Sequence, residues 1–151
     1  MTIQFLDLRV SRHSTTDAAT TPIPTTPARL LFGDIGLQTA GVSPANAGDI
    51  RVELNGYVKV SGLTVGLETL TITVWRGDPG TGVPILTTTY GPIAVGLLQE
   101  TWGFTAVDFL TAAPLSGQQR YTATIESNVA SLSTIGAASF GGTAAAGTTT
   151  S

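Results

Sequence analysis

The chain has 151 residues, of which 11% are charged and 42% hydrophobic, with a net charge of −3 and no cysteine. This length suits one domain with its own core and is too short for two. The lack of cysteine excludes disulfides and thiolate sites, the acidic balance argues against nucleic-acid binding, and the absence of an apolar run of about 18 residues predicts no membrane span.

The first ten residues, "MTIQFLDLRV", are predicted to form a β-strand. Apolar and charged residues alternate in its second half, and this period of two favours a strand over a helix. The alternating residues are Leu6, Leu8 and Val10 against Asp7 and Arg9. A strand without a neighbour leaves its backbone hydrogen-bonding groups unpaired, so this segment needs a partner.

Residues 13–28 predict a linker, because they are rich in Thr and Pro and offer little beyond Ile23 to anchor a core. We therefore predict a connector strand over residues 1–12 that adds to an open sheet edge of a neighbouring copy. The side chains predicted to make this inter-subunit contact are Ile3, Phe5, Leu6, Leu8 and Val10. The alternative is that the strand folds back onto its own domain.

Residues 29–147 contain a succession of short strand patterns separated by Gly- and Pro-rich turns, such as "DIRVELNG", "LTITVW" and "RYTATIE". No segment has helical periodicity, and strands at roughly 8–12-residue spacing predict an antiparallel sandwich or barrel. A jelly roll is favoured over an immunoglobulin-like sandwich, which often carries a Cys…Trp…Cys pattern. The predicted fold class is an all-β antiparallel jelly-roll sandwich with a flexible N-terminal connector and a tail at 148–151.

The sequence offers no set of residues that predicts an enzyme, a cofactor or a metal centre. The single histidine, His13, lies in the predicted linker, where a general base would lack a pocket. Carboxylates in predicted turns, at Asp34, Asp49 and Asp78, suit turn capping, with calcium binding at a symmetry axis as the alternative. Glu100 and Asp108 are a further candidate pair that only a folded structure can bring together.

Two other features have both a functional and a structural interpretation. Arg76–Asp78 is an integrin-recognition tripeptide, but a turn before Pro79 accounts for each of its residues. Five aromatic residues suit a sugar-binding platform, although packing in a core or interface is favoured for residues that are interleaved with aliphatic ones. These aromatic residues are Tyr57, Trp75, Tyr90, Trp102 and Tyr121.

The low charge predicts assembly. Ordinary soluble domains have about 25% charged residues, so a surface with 11% favours cover by neighbouring subunits over a secreted domain kept soluble by its hydroxyl groups. The N-terminus lacks the basic and then apolar pattern of an export signal. A surface protein needs no export signal if it is made inside a cell that later lyses, as with spore-coat layers and virions. This setting would explain both the composition and the N-terminus.

Three segments resemble the trimeric jelly rolls of the tumour-necrosis-factor and complement-C1q type, in the form found on bacterial spore surfaces. They are "GDIRVELNGYVKVSGLTV", "TAAPLSGQQRYTATIES" and the small-residue ending "STIGAASFGGTAAAG", which together span residues 48–147. The resemblance implies a homotrimer on the outside of a spore, made in the mother cell without a signal peptide, in an exosporium layer or endospore appendage. Other spore-surface proteins are implied as further partners. The chain lacks a collagen-like Gly-X-Y tract, which favours a body or anchor subunit over a hairlike tip.

The sequence thus predicts a structural, self-assembling subunit whose trimers join into a fibre or layer by N-terminal strand insertion, without nucleic acid or membrane as partners. The alternative is a trimeric receptor- or glycan-binding head of a phage or other surface fibre. That head would use the loops "RGDPGTG" and "PLSGQQ".

Overall fold

The computed structural model describes residues 3–18, 20–63, 66–92 and 99–147. Nine strands and one 3-10 turn at Pro44–Asn46 form in these ranges. The strands are β1 (Gln4–Ser14), β2 (Thr21–Pro22), β3 (Leu30–Gln38), β4 (Ile50–Ser61), β5 (Leu70–Arg76), β6 (Val83–Tyr90), β7 (Gln99–Leu110), β8 (Gln118–Ser127) and β9 (Thr134–Ala146). No helix within the described ranges is long and apolar enough to cross a membrane.

The strands form two antiparallel sheets. Sheet A has the order β1-β9-β4-β7, with β2 paired to the start of β9, and sheet B has the order β3-β8-β5-β6. If the eight long strands are numbered without β2, the orders become 1-8-3-6 and 2-7-4-5. This is the two-sheet, double Greek-key arrangement of a jelly roll, so the predicted all-β antiparallel fold class is confirmed.

The core lies between the sheets and follows the alternation of the strand sequences. On β5 the predicted inward residues Leu70, Ile72 and Val74 are fully buried. On β7 the even-numbered residues face inward. The ring centroids of Phe104 and Phe140 lie 6.3 Å apart. Two-residue periodicity with one apolar face directs a strand to this half-buried position.

Small residues in β9 allow this strand to occupy the middle of sheet A. β9 pairs with β1 on one side and with β4 on the other. A Cβ atom on Gly142 would lie 2.5 Å from Leu54 Cδ2, and one on Gly33 of β3 would lie 2.4 Å from Phe140 Cβ. The Gly- and Ala-rich ending is therefore a central strand whose side-chain space is filled by its neighbours.

The first strand lies in its own domain. β1 pairs with β9 of the same chain, from Gln4 opposite Ala146 to Ser14 opposite Ala138. The prediction that residues 1–12 form a separate connector with its ladder on another molecule is therefore wrong for this structure. The sequence indicates the partner strand only weakly, around Leu132–Phe140, because most of β9 is Gly and Ala and few of its residues are of the β-branched or aromatic types that mark a strand.

The predicted linker is also attached to the domain. Ile23 is buried, its N–H donates to the Ser133 carbonyl at 3.0 Å, and the Thr26 N–H donates to the Ser127 carbonyl at 2.8 Å. Residues 15–29 therefore connect the edge of sheet A to the edge of sheet B, and this crossing explains their length. The jelly roll extends from β1 to β9, and the predicted tail at 148–151 lies outside the described residues.

Candidate assembly surface

β1 exposes most of its apolar side chains and turns Asp7 and Ser11 toward the sandwich. Phe5, Leu8 and Val10 are 64%, 56% and 79% exposed, and Ile3 before the strand is also exposed. Leu6 packs against the core. A register shift between Phe5 and Asp7 makes Leu6 the additional residue of a bulge, and one extra residue reverses the face of every residue that follows.

The inward polar side chains of β1 bind the edge of sheet B. The Asp7 carboxylate accepts the Gln38 N–H at 2.9 Å, and the Ser11 hydroxyl accepts the Asp34 N–H at 3.3 Å. These bonds satisfy backbone donors that face away from β8, and they hold the two sheets together at this corner. The inverted pattern of β1 is therefore built into the fold.

The Asp7 carboxyl makes the stability of this corner sensitive to acid. The hydrogen bond from Arg9, followed by that from the Gln38 N–H, lowers the pKa of Asp7 below its ordinary value of 3.8. When the pKa of a carboxyl is lower in the folded state, its stabilising effect is complete at a pH above its pKa in the unfolded state. The effect is lost as the pH falls through its pKa in the folded state. We expect Asp7→Asn to lower the melting temperature at pH 7, and we expect the gap from wild type to close below about pH 4.

Thermal unfolding of both proteins at several pH values between 2 and 7 measures this gap. Because every other carboxyl is common to the two proteins, the difference isolates Asp7. A gap that keeps its size across the whole range would contradict the assignment.

The outer face of sheet A has apolar residues on its two edge strands, small residues on β9 and polar or charged residues on β4. The register aligns four rows of outward residues across β1, β9, β4 and β7. The rows are Phe5–Ala145–Arg51–Phe109, Leu8–Thr143–Glu53–Val107, Val10–Gly141–Asn55–Thr105 and Arg12–Ser139–Tyr57–Gly103. Val107 and Phe109 are 59% and 63% exposed. We call this surface the A face.

The A face is hollow between its margins. A depression of about 350 Å³ lies between β9, β4 and β7, and its lining includes Arg51, Glu53, Phe109, Thr143 and Ala145. Two charges of opposite sign, Arg51 and Glu53, stand two residues apart on β4 and therefore on the same face. Arg51 Nε lies 3.5 Å from the Asp49 carboxylate.

The sequence predicts inter-subunit contacts by Ile3, Phe5, Leu6, Leu8 and Val10. The structure exposes four of these side chains, on a segment of their own sheet, whereas Leu6 packs against the core and is not available for such a contact. The contact of the other four with another copy stays a prediction. Val107 and Phe109 were missed. The signal is that apolar residues occupy both alternating sets in "TAVDFL", which is typical of a strand covered on both faces.

The integrin-type tripeptide is held within the chain. The Arg76 guanidinium donates to the Asp108 carboxylate, with 2.6 Å from Nε to Oδ2. Asp78 accepts a hydrogen bond from Arg120, and Arg120 also donates to both oxygens of Asp34 at 2.9 and 2.8 Å. Both ends of the tripeptide are therefore engaged inside the domain.

The other candidate site residues lie apart or pack in the fold. His13 Nε2 lies 3.0 Å from the Thr21 hydroxyl. Trp75 and Trp102 are buried, and Tyr90 stacks on Trp102 at 4.3 Å between ring centroids. Within the described ranges, no group of three or more His, Asp or Glu side chains is placed to hold a metal ion. Asp34 lies within β3 and not in the predicted turn. Asp34 and Asp78 both bond the positively charged Arg120 side chain, which lies between them.

One charge cluster bridges the two sheets. Asp108 of β7 is buried and accepts hydrogen bonds from Arg76 of β5 and, at 2.8 Å, from the Tyr121 hydroxyl of β8. Burial raises the pKa of Asp108, but the bonds from Arg76 and Tyr121 outweigh it and lower that pKa overall. Burial, with the bond to Asp108, raises the pKa of Tyr121. A fixed ion pair and a neutral phenol hold a fold together and are poorly suited to moving protons at neutral pH.

The comparisons with known proteins give the fold. The sequence matches no protein-family model and no curated protein. The structure is similar to the VP2 subviral particle protein of infectious bursal disease virus, with a TM-score of 0.56 and 10% identity over 91% of this chain and 32% of that one. It is also similar to the protein of the Gx strain of that virus, with a TM-score of 0.52 and 10% identity over 93% of this chain and 36% of that one.

A third similar structure is dimeric latent PorU from Porphyromonas gingivalis, with a TM-score of 0.54 and 7% identity over 95% of this chain and 13% of that one. The chain therefore spans about a third of the viral proteins and about an eighth of PorU. At these identities the likeness establishes the jelly roll alone, because one fold carries many functions.

Proposed function

We propose that the protein is a structural subunit that self-assembles, and that its A face contacts another copy of the chain. The observation that carries the proposal is the inversion of β1, which places Phe5, Leu8 and Val10 in solvent while Asp7 and Ser11 face the sandwich. Burying an apolar side chain stabilises by about 1.5–3 kcal/mol. In a monomer these three side chains stay in water, whereas in an assembly their burial stabilises the contact between copies.

The chemistry of the A face favours a second copy as its occupant. Its centre carries one positive and one negative side chain, Arg51 and Glu53, so a like surface supplies a complementary charge to each. The small residues of β9 leave a hollow that apolar side chains from the margin of another copy suit. The similarity to a protein of a subviral particle agrees with assembly.

The trimer, the spore surface and the partner proteins there are part of the proposal on the strength of the sequence resemblance. Strand insertion by residues 1–12 is not part of it, because β9 of the same chain already supplies that ladder. In this proposal the A face makes the contact between copies that the sequence analysis assigned to the connector strand.

Sedimentation of the purified protein over a range of concentrations, followed by negative-stain electron microscopy, tests the proposal. We expect a concentration-dependent mass above 15.5 kDa and particles of repeated shape, as a layer or a fibre. A protein that sediments as a monomer at every concentration and shows no particles would overturn it.

A further inference from the structure

We propose that two copies of the chain also pair edge to edge through β7, antiparallel and centred on Val107, so that their A sheets become one continuous sheet. The inference deepens the proposed function and rests on it only in assuming that the chain contacts copies of itself. The edge contact is made by backbone groups of β7, whereas the A-face contact is made by side chains.

The outward backbone groups of β7 can be identified from one hydrogen bond. The Tyr90 hydroxyl donates to the Gly103 carbonyl at 3.1 Å, so this carbonyl points away from β4. In an antiparallel pair the N–H and C=O of one residue point to the same side, and the side alternates along the strand. Because β4 and β7 pair without a register shift, Thr105, Val107 and Phe109 also direct both groups to the open edge.

Most of these outward groups have no partner within the described part of the chain. β7 is the last strand of sheet A; among the described residues, the Tyr90 hydroxyl bonds its outer edge at Gly103 and the Asp108 carboxylate bonds the Phe109 N–H. Thr105 and Val107 offer both of their backbone groups, and Phe109 offers its carbonyl, over about 14 Å of strand. Such a row is a template for another strand.

The other three sheet edges are interrupted by register shifts, whereas β7 pairs with β4 without a shift and carries its two charged residues, Glu100 and Asp108, on the inward set. β1 has two register shifts and charged residues, and its corner is tied to β3 by Asp7 and Ser11. β3 has its own shift beside Gly33, and β6 contains Pro84 next to another shift. Bulges, charges and proline protect edge strands from association. The outward set of β7 from 99 to 109 is Gln, Thr, Gly, Thr, Val and Phe, with no charge and no proline.

The edge is also complementary to itself. A two-fold axis beside Val107 pairs it with Val107 of the second copy, and it places Thr105 opposite the second copy's Phe109. The Val107 pair then exchanges both backbone bonds, and each Thr105–Phe109 pair forms the bond from the Thr105 N–H to the Phe109 carbonyl, while the Phe109 N–H keeps its bond to the Asp108 carboxylate. On the A face this register brings the exposed side chains of Val107 and Phe109 beside those of the second copy, so the apolar margin runs across the junction.

A single cysteine tests the register, since the chain has none of its own. Paired residues of this type have Cα atoms about 5.5 Å apart, inside the disulfide range of about 4.4–6.8 Å. We expect Val107→Cys to form a disulfide-linked dimer under mild oxidation at least ~10-fold faster than Thr105→Cys. In that control the two thiols lie four residues out of register, about 14 Å apart. A mixture of Thr105→Cys and Phe109→Cys is expected to give the heterodimer.

Charge substitutions supply the second test. Val107→Lys and Val107→Glu place like charges opposite each other in each homodimer, so each is expected to sediment at lower mass than wild type, whereas their equimolar mixture regains it. Equal oxidation rates for Val107→Cys and Thr105→Cys, or a mixture that behaves like its separate components, would overturn the edge pairing. If wild type still assembles in that case, the proposed function stands and only the edge is wrong. A wild type that sediments as a monomer at every concentration would overturn both the edge pairing and the proposed function.

Discussion

Replacing Phe5, Leu8 and Val10 together by serine is expected to abolish association through the A face, so that no species larger than the β7-paired dimer remains, while the domain stays folded. In the monomer these side chains are more than half exposed, and exposed positions of this kind usually change stability by no more than about 0.5 kcal/mol each. In an assembly they are buried. A loss of ~1 kcal/mol of burial at each position weakens association by at least ~100-fold, because 1.4 kcal/mol corresponds to a factor of ten.

The matched control replaces three exposed apolar side chains that lie away from the A face. Leu67, Val83 and Leu132 are 70%, 52% and 91% exposed, so their change to serine removes comparable exposed apolar groups. We expect the control to keep the sedimentation profile and the particles of wild type. Equal loss of association in both triple variants would mean that general solubility governs assembly, and it would contradict the A face as the contact.

The fold was predictable because most strands follow a simple alternation. In β4, β5 and β8 one face is apolar, and the structure buries that face, as with Leu54, Ile72 and Ile125. The ends of the chain were not predictable in the same way. Leu54 leaves no room for a side chain at Gly142 of β9, and a run of Gly and Ala resembles a tail until its neighbours are known.

The candidate surface was half predictable. The exposed residues of β1 were identified by their apolar character, but the sequence assigned their outward face to a different molecule. The bulge at Leu6 reverses which residues face the core, and a bulge depends on the partner strand, which the sequence alone does not place. The bonds of Asp7 and Ser11 to β3 join segments more than twenty residues apart, so local periodicity has no access to them.

Asp108→Ala is expected to lower the free energy of unfolding by about 2–4 kcal/mol, because it breaks a buried carboxylate bridge between sheets A and B. Removing one partner of a buried pair typically costs about 3–5 kcal/mol. Arg76 keeps 31% of its side chain in contact with solvent, which reduces that cost. Tyr121 is fully buried and loses the acceptor of its hydroxyl, which adds about 1–3 kcal/mol.

Urea unfolding of wild type, Asp108→Ala and Asp108→Asn at pH 7 measures this cost. Asparagine retains an acceptor for Tyr121 and loses only the charge, so its free energy of unfolding should lie between the other two. Since the folded-state pKa of Asp108 is lowered, the stabilisation by its charge is complete above about pH 4 and disappears as the pH falls further. The gap between wild type and Asp108→Asn should therefore close in acid. If the free energy of unfolding of Asp108→Ala lies within about 0.5 kcal/mol of the wild-type value, a margin of the size seen for ordinary surface changes, the Asp108 bridge contributes nothing to stability, and apolar packing with the Asp7 and Ser11 bonds holds the sheets together.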